Sequence, residues 1–339
     1  MTIPQTKAVR TSLRVLMGLQ PTALHSSLHN VDTNEEEYSV HMRIAVTGST
    51  GLIGKALLSH LHDNGHDTVA LVRRTPRSAS EIQWNPSQGV LNAADLEGIN
   101  AVVHLAGAGI GDKRWTDSYK KEILESRTKS TALLAQRLAE LQQPSAVFLS
   151  GSAIGIYGPR GSEELGEDAS HGDTFLADVC EQWESAASPA TAAGIRTAFL
   201  RTGIVLSPKG GALKKQLPLF KLGAGGKFGN GKQWQSWISI TDEVRAIAHL
   251  LTSTLAGPVN LTAPTPVTNA EFTKTLAKVL RKPAFMAIPP VGPKLLLGSE
   301  LADALLFTGQ RVVPNALLAD GFHFSHSTLE EALRNLLLS

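Results

Sequence analysis

The spacing of hydrophobic positions changes repeatedly along the chain, and the changes outline alternating strands and helices. Residues 43–47 form a short apolar run that predicts a buried strand, and residues 52–64 carry the spacing of a helix. Residues 68–72 predict a second strand, 82–84 a short third, and 101–105 a buried parallel strand. Across 117–141 the residues Ile123, Leu124, Leu133, Leu134, Leu138 and Leu141 recur at helical intervals. Residues 146–149 predict a strand, 176–193 a helix and 197–200 a strand. Strands alternating with helices in this way predict an α/β fold, a doubly wound parallel sheet covered on both faces.

Beyond Arg201 the pattern loosens. Residues 208–231 are rich in Gly and Lys with little periodicity, 242–251 predict a helix, and 259–261 a short strand. Thr268-Asn-Ala-Glu271 is a capping box that opens a helix over 272–280, and Ser327-Thr-Leu-Glu330 reads as another before the last helix. Residues 283–314 are broken by Pro and Gly, with one helix expected near 294–306.

Composition narrows the function classes. A net charge of +2 over 339 residues is too balanced to argue for nucleic acid. The single cysteine, Cys180, excludes an internal disulfide and any multi-cysteine metal centre, and no metal site is expected. No apolar run reaches the roughly 18–20 residues that span a bilayer, so no membrane role is expected. Residues 1–41 differ from the rest: there is no acid before Asp32, and Lys7, Arg10 and Arg14 stand among Ser, Thr and Leu. They read as a transit peptide, as a flexible extension, or as the product of a start upstream of Met42. The expected compartment is the cytoplasm, or an organelle if the transit reading holds.

The strongest chemical signal is Thr47-Gly-Ser-Thr-Gly-Leu-Ile-Gly54, placed between a strand and a helix. Gly48 permits the sharp turn, Gly51 clears the approach of a pyrophosphate, and Gly54 lets the helix pack on the sheet. Thr50, Leu52 and Ile53 complete the turn, and the helix start aims free N–H groups at the phosphates. At the end of the second strand stand Arg73 and Arg74, where an acid would bond the ribose of NAD. Guanidinium groups there pair with a 2′-phosphate, which points to NADP(H). The domain expectation follows: an extension 1–41, a Rossmann domain 42–205 to which 239–260 returns, and a smaller, mostly helical lobe from 206–238 and 261–339.

The glycine turn is accompanied by Trp84-Asn-Pro, His104-Leu-Ala-Gly107, Arg114-Trp115-Thr116, Ser126-Arg127, Ser150-Gly-Ser-Ala-Ile-Gly-Ile-Tyr-Gly158, Arg201-Thr-Gly-Ile-Val205 and Trp237-Ile-Ser-Ile-Thr-Asp242. With these motifs the chain, over about residues 42–338, resembles the atypical extended short-chain dehydrogenase/reductases known as sugar-nucleotide-epimerase-like proteins. Some bacterial members carry a cell-division-inhibitor label, and a plant member is associated with chloroplast division. The resemblance implies a cofactor site formed by the glycine turn, Arg73, Arg74, the strand end Leu105, Ala106 and Gly107, Arg127, and a nicotinamide contact at Val205. It also implies the family's small C-terminal domain and, from related proteins, a homodimer built on the long helices flanking the sheet.

The departures bear on chemistry. A working reductase of that superfamily uses a Tyr and a Lys four residues apart, with a Ser and an Asn, for proton transfer. Ser152 matches the Ser, but four residues beyond Tyr157 stands Gly161. Aligning Glu184 with the acid that closes the motif puts Leu176 and Cys180 at the Tyr and Lys positions, and Arg127 at the Asn position. Tyr157, Asp178, His104 and Cys180 are the remaining candidates for the proton, with Ser152, Tyr157 and Asp178 foremost. From 185 to 241 there is no acid among Arg196, Arg201, Lys209, Lys214, Lys215, Lys221, Lys227 and Lys232. Such a field favours a small anionic substrate, a sugar nucleotide among them. Against this, Gln235 stands where sugar-nucleotide enzymes place a phosphate-binding Arg. Trp234 and Trp237 read as stacking platforms or as packing. Two functions stay open: an NADP(H)-dependent epimerase-like oxidoreductase, or a catalytically degenerate NADP(H)-binding sensor or scaffold that works through a protein partner, in cell or organelle division for example.

Overall fold

Seven strands pair side by side in a computed structural model that describes residues 41–338, so the expected extension lies outside the described residues except for His41. The strands are β1 (Arg43–Thr47), β2 (Asp67–Val72), β3 (Glu81–Gln83), β4 (Ala101–His104), β5 (Val147–Ala153), β6 (Arg196–Thr202) and β7 (Gly257–Leu261). Their order across the sheet is β7-β6-β5-β4-β1-β2-β3, and every neighbour pair is parallel. The helices that cover it include α1 (Leu52–Asp63), α2 (Asp117–Ala139), α3 (Phe175–Ser185) and α4 (Ile240–Thr252).

Strand alternation divides the core. Ile44 and Val46 of β1 join Leu57 and Leu61 of α1 and Ile247 and Leu250 of α4 on one face. Ala45, between them in sequence, joins Leu133, Leu134 and Leu138 of α2 on the other. Both faces are thus dry, which accounts for strands that read as continuous apolar runs rather than alternating ones. The chain order reverses between β1 and β4, and this opens a crevice beyond their C-terminal ends.

The expected doubly wound sheet is observed, with differences in detail. The helix expected over 176–193 is two: α3 ends at Ser185 and a short helix, Ser188–Ala192, restarts with Pro189 in its first turn. Proline lacks the N–H needed in a helix interior but suits a helix start, so it marks the break. Residues 208–231 hide a helix, Gly211–Lys221, whose Leu213, Leu217 and Phe220 are buried in a third core with Trp237, Phe272 and Leu276. The segment near 294–306 is not one helix: it breaks at Gly298, φ +89°, between Val291–Leu297 and Ser299–Ala302. The Thr268–Glu271 box forms as expected. The last helix, however, is boxed by Thr328 and Glu331, one residue later than the sequence suggests. Glu330 instead binds Lys278 and Arg334.

Candidate functional site

At the crevice the backbone conformation is dictated by contacts that only glycine allows. Gly48 has φ +65°, and a Cβ there would lie 2.9 Å from the Leu105 carbonyl carbon. A Cβ on Gly54 would collide with the Gly48 carbonyl oxygen. That carbonyl accepts the Gly51 N–H at 2.9 Å, closing the turn. Gly51 caps α1 without a side-chain hydrogen bond, and the first turn holds no acid. The helix start therefore offers unpaired N–H groups and a positive dipole end to the crevice. Thr47 latches the two sides together: its hydroxyl accepts the N–H groups of Leu105 at 3.0 Å and Ala106 at 3.1 Å. Gly210 packs its backbone on the Leu52 side chain, so the loop beyond Val205 closes over the same turn. The glycine turn, Leu52, the Leu105–Gly107 strand end and the Val205 segment are thus brought together.

The two arginines at the end of β2 differ. Arg74 donates to Glu81 at 2.8 Å, and this bond, helped by the Arg77 N–H, holds the Glu81 carboxyl at about 2. Arg73 is exposed and makes no hydrogen bond or ion pair among the described residues. Only Arg73 is free to meet a phosphate without first giving up a partner.

Four of the five proton-carrying candidates are buried and engaged or held protonated. His104 is fully buried, its Nδ1 2.7 Å from the Thr47 hydroxyl and its Nε2 3.0 Å from Ser130 Oγ. Burial, then the nearby Arg127 charge, holds its imidazole down at about 3. Tyr157 is also fully buried: its hydroxyl donates to Asn260 Oδ1 at 2.7 Å and accepts from Arg201 at 2.9 Å. Burial raises its pKa above the ordinary tyrosine value. Ser152 donates to Glu184 at 2.6 Å, and Glu184 holds Arg201 through two bonds of 2.8 and 2.9 Å. Cys180 is buried, and burial followed by Glu184 pushes its thiol up to about 12. Asp178 is exposed in the first turn of α3, where a negative charge favours the helix start. Ser152 and Tyr157 are joined through Glu184 and Arg201, while Asp178 faces solvent.

Arg127 is different. Its guanidinium carbon lies 5.0 Å from the Trp183 ring centre, and the side chain packs against Gly107. Its one hydrogen bond runs back to Ile123 O at 3.0 Å, with no carboxylate partner among the described residues. Burial lowers its pKa below the ordinary arginine value. The sequence named Arg127 but gave no sign of its lacking a counter-charge. Nor does it show that Glu184 is the hub of the buried network. The pairing of Glu184 with Arg201 joins residues on two elements, a relation that spacing along the chain does not reveal.

The acid-free stretch does not make one uniform field. Arg196 binds the carbonyls of Leu250, Leu251 and Leu255, and Arg201 is neutralised by Glu184. Lys232 lines a cavity of about 390 Å³ with Asn230, Trp234, Phe307 and Thr308. Beside it Arg311 stacks on the Trp234 ring at 4.9 Å while bonded to Glu164, so a guanidinium does stand near Gln235, supplied from the C-terminal segment. Trp237 is fully buried and donates to Thr265 O; it is packing, not a platform. His326 is buried against Ser239 and Asp242, in keeping with a structural role. No group of metal-ligating side chains forms among the described residues.

Comparison with known proteins gives a consistent picture. Residues 44–261 match the NAD dependent epimerase/dehydratase family, and residues 288–336 match a domain of unknown function, DUF1731. An epimerase family protein of Mycobacterium bovis is 41% identical over 291 residues, 86% of this chain and 96% of the relative. A chloroplastic homolog of epimerase family protein SDR39U1 from Arabidopsis thaliana is 34% identical over 305 residues, 87% of each chain. The crystal structure of human epimerase family protein SDR39U1 with NADPH superposes with a TM-score of 0.82 at 33% identity, covering 88% of this chain and all of that one.

Proposed function

This chain belongs to the NAD dependent epimerase/dehydratase family, and from that membership we propose that it binds NADP(H) and acts on a small anionic molecule, a sugar nucleotide being one such class, with Arg127 as the polar group beside the nicotinamide. The observation that carries the cofactor is Arg73, an exposed, unpartnered guanidinium at the end of β2 beside a glycine turn with an uncapped helix start. A 2′-phosphate supplies the counter-charge that Arg73 lacks among the described residues. The NADPH in the human relative's structure supports the same reading. In this scheme the nicotinamide supplies or receives hydride. Arg127 orients a carbonyl or carboxylate oxygen and stabilises negative charge developing on it. The lysine-rich rim of the lobe and Lys232 attract an anion.

The test is a titration of NADPH and NADH by nicotinamide fluorescence in the native chain and in Arg73→Glu. NADPH affinity should fall by more than about tenfold, a difference of ~1.4 kcal/mol, with NADH affinity little changed. Equal losses for the two nucleotides would refute the role of Arg73.

A second reading rests on a specific observation: Ser152, Tyr157, His104 and Cys180 are each buried and committed or held protonated. On that reading the chain senses NADP(H) and passes the bound state to a partner. NADPH consumption against a panel of carbonyl compounds, together with product analysis of sugar nucleotides for epimers, separates the two, since the sensor turns over none of them.

A further inference from the structure

The large exposed apolar side chains are concentrated on the C-terminal lobe. Phe285, Val291, Leu295 and Leu296 are 86%, 75%, 78% and 75% exposed and belong to one stretch of chain. Leu222, 81% exposed, joins them because Gly223 lies against Pro283. The stretch is anchored, not loose: Met286–Ile288 pairs with Gly226–Phe228, and Ala284 turns inward to the third core. Packing among the described residues therefore leaves these side chains uncovered, and an apolar patch of this kind marks an interaction surface.

The surrounding charge says what covers it. Residues 185–241 and 272–299 contain no Asp or Glu. Lys278 and Lys294 are paired with Glu330 and Asp303. Lys221, Arg281 and Lys282 are exposed with no acidic partner among the described residues, and they adjoin Leu222 and Phe285 in sequence. Leu222 and Phe285, flanked by cations without acidic partners among the described residues, match the boundary between acyl chains and acidic headgroups. A second copy seated on the same face would instead set these unpaired cations against one another. We propose that this face adsorbs to an anionic lipid bilayer, with Phe285, Leu295 and Leu296 entering between headgroups and Lys221, Arg281 and Lys282 pairing with lipid phosphates. No helix among the described residues is long and apolar enough to cross a membrane, so the association is with the surface. Arg114, in the loop after β4, donates to Leu295 O at 2.6 Å, which sets the docked face at the rim of the crevice.

The test is flotation of the full chain with vesicles of phosphatidylcholine alone and of phosphatidylcholine mixed with phosphatidylglycerol. Binding should require the anionic lipid, weaken in high salt, and fall by about tenfold or more in Phe285→Ser/Leu295→Ser/Leu296→Ser. Circular dichroism of the variant should match the native chain, because these side chains touch solvent. Equal flotation of variant and native chains would overturn the proposal, since binding would then come from elsewhere in the chain. So would failure to float on anionic vesicles, or a dimer that the triple substitution dissolves, which would assign the face to a second copy.

Discussion

Replacing Glu243 by glutamine should flatten the dependence of stability on pH. Glu243 sits in α4, fully buried, with one carboxyl oxygen accepting from Thr202 at 3.0 Å and the other without a partner among the described residues. Burial raises its pKa from 4.5 to about 8, with the Thr202 bond opposing. The carboxyl is therefore neutral in the folded chain at pH 7 but ionised in the unfolded one. Below the unfolded pKa both states are protonated and the group contributes nothing. As pH rises above it, only the unfolded chain releases the proton, so folding stability falls by about 1.4 kcal/mol per pH unit until the folded pKa is reached. Between pH 5 and pH 8 the loss is about 4 kcal/mol, an upper figure if water reaches the site. Glutamine keeps an acceptor for Thr202 and cannot ionise, so Glu243→Gln should gain on the native chain by that amount across the interval. At roughly 2 °C per kcal/mol for a chain of this size, the gap between the two melting temperatures should widen by about 8 °C. Any cost of burying the unpaired amide is independent of pH and shifts only the offset. Melting curves taken in steps from pH 5 to pH 8 measure the slope. Parallel profiles for the two proteins would show that Glu243 does not hold its proton in the folded state.

Three further outcomes test other parts of the molecule. Gly54→Ala should abolish saturable NADPH uptake, because its Cβ must displace the Gly48 carbonyl that closes the turn; native affinity would mean the turn does not form the phosphate site. Glu184→Gln should cost about 3 kcal/mol, since it strips the counter-charge from a buried guanidinium; chemical denaturation would detect it, and a loss within error would show Arg201 to be otherwise satisfied. Cys180, with its thiol held near 12 and buried, should resist thiol reagents until the chain is denatured, which a colorimetric thiol assay with and without urea would show.

Much of the sheet was legible because most of its doubly covered parallel strands leave short buried apolar runs bounded by turns. The glycine turn was legible for a related reason, since each of its glycines answers a local contact. What local pattern could not reveal was pairing at a distance. Tyr157 stood beside the serine loop in sequence, but its hydroxyl is spent on Asn260 and Arg201 from β7 and β6. Arg73 and Arg74 are neighbours, yet Glu81 of the adjoining strand captures only one of them. The helix Gly211–Lys221 was obscured by glycine and lysine content, although Leu213, Leu217 and Phe220 already stood at helical spacing.

The buried polar chain that ends at Asn260 reaches beyond the sheet. Asn260 donates to Val313 O at 2.9 Å, and Glu167 accepts the N–H groups of both Asn260 and Ala316. The carboxy-terminal module, catalogued as a separate domain, is thereby stapled to the edge of the parallel sheet. Genetic excision of that module would strand amides and a carboxylate in a dry interior and expose the flank of β7. A deletion phenotype would then report collapse of the whole molecule, so point substitutions on the module's outer surface are the sounder route to what it contributes.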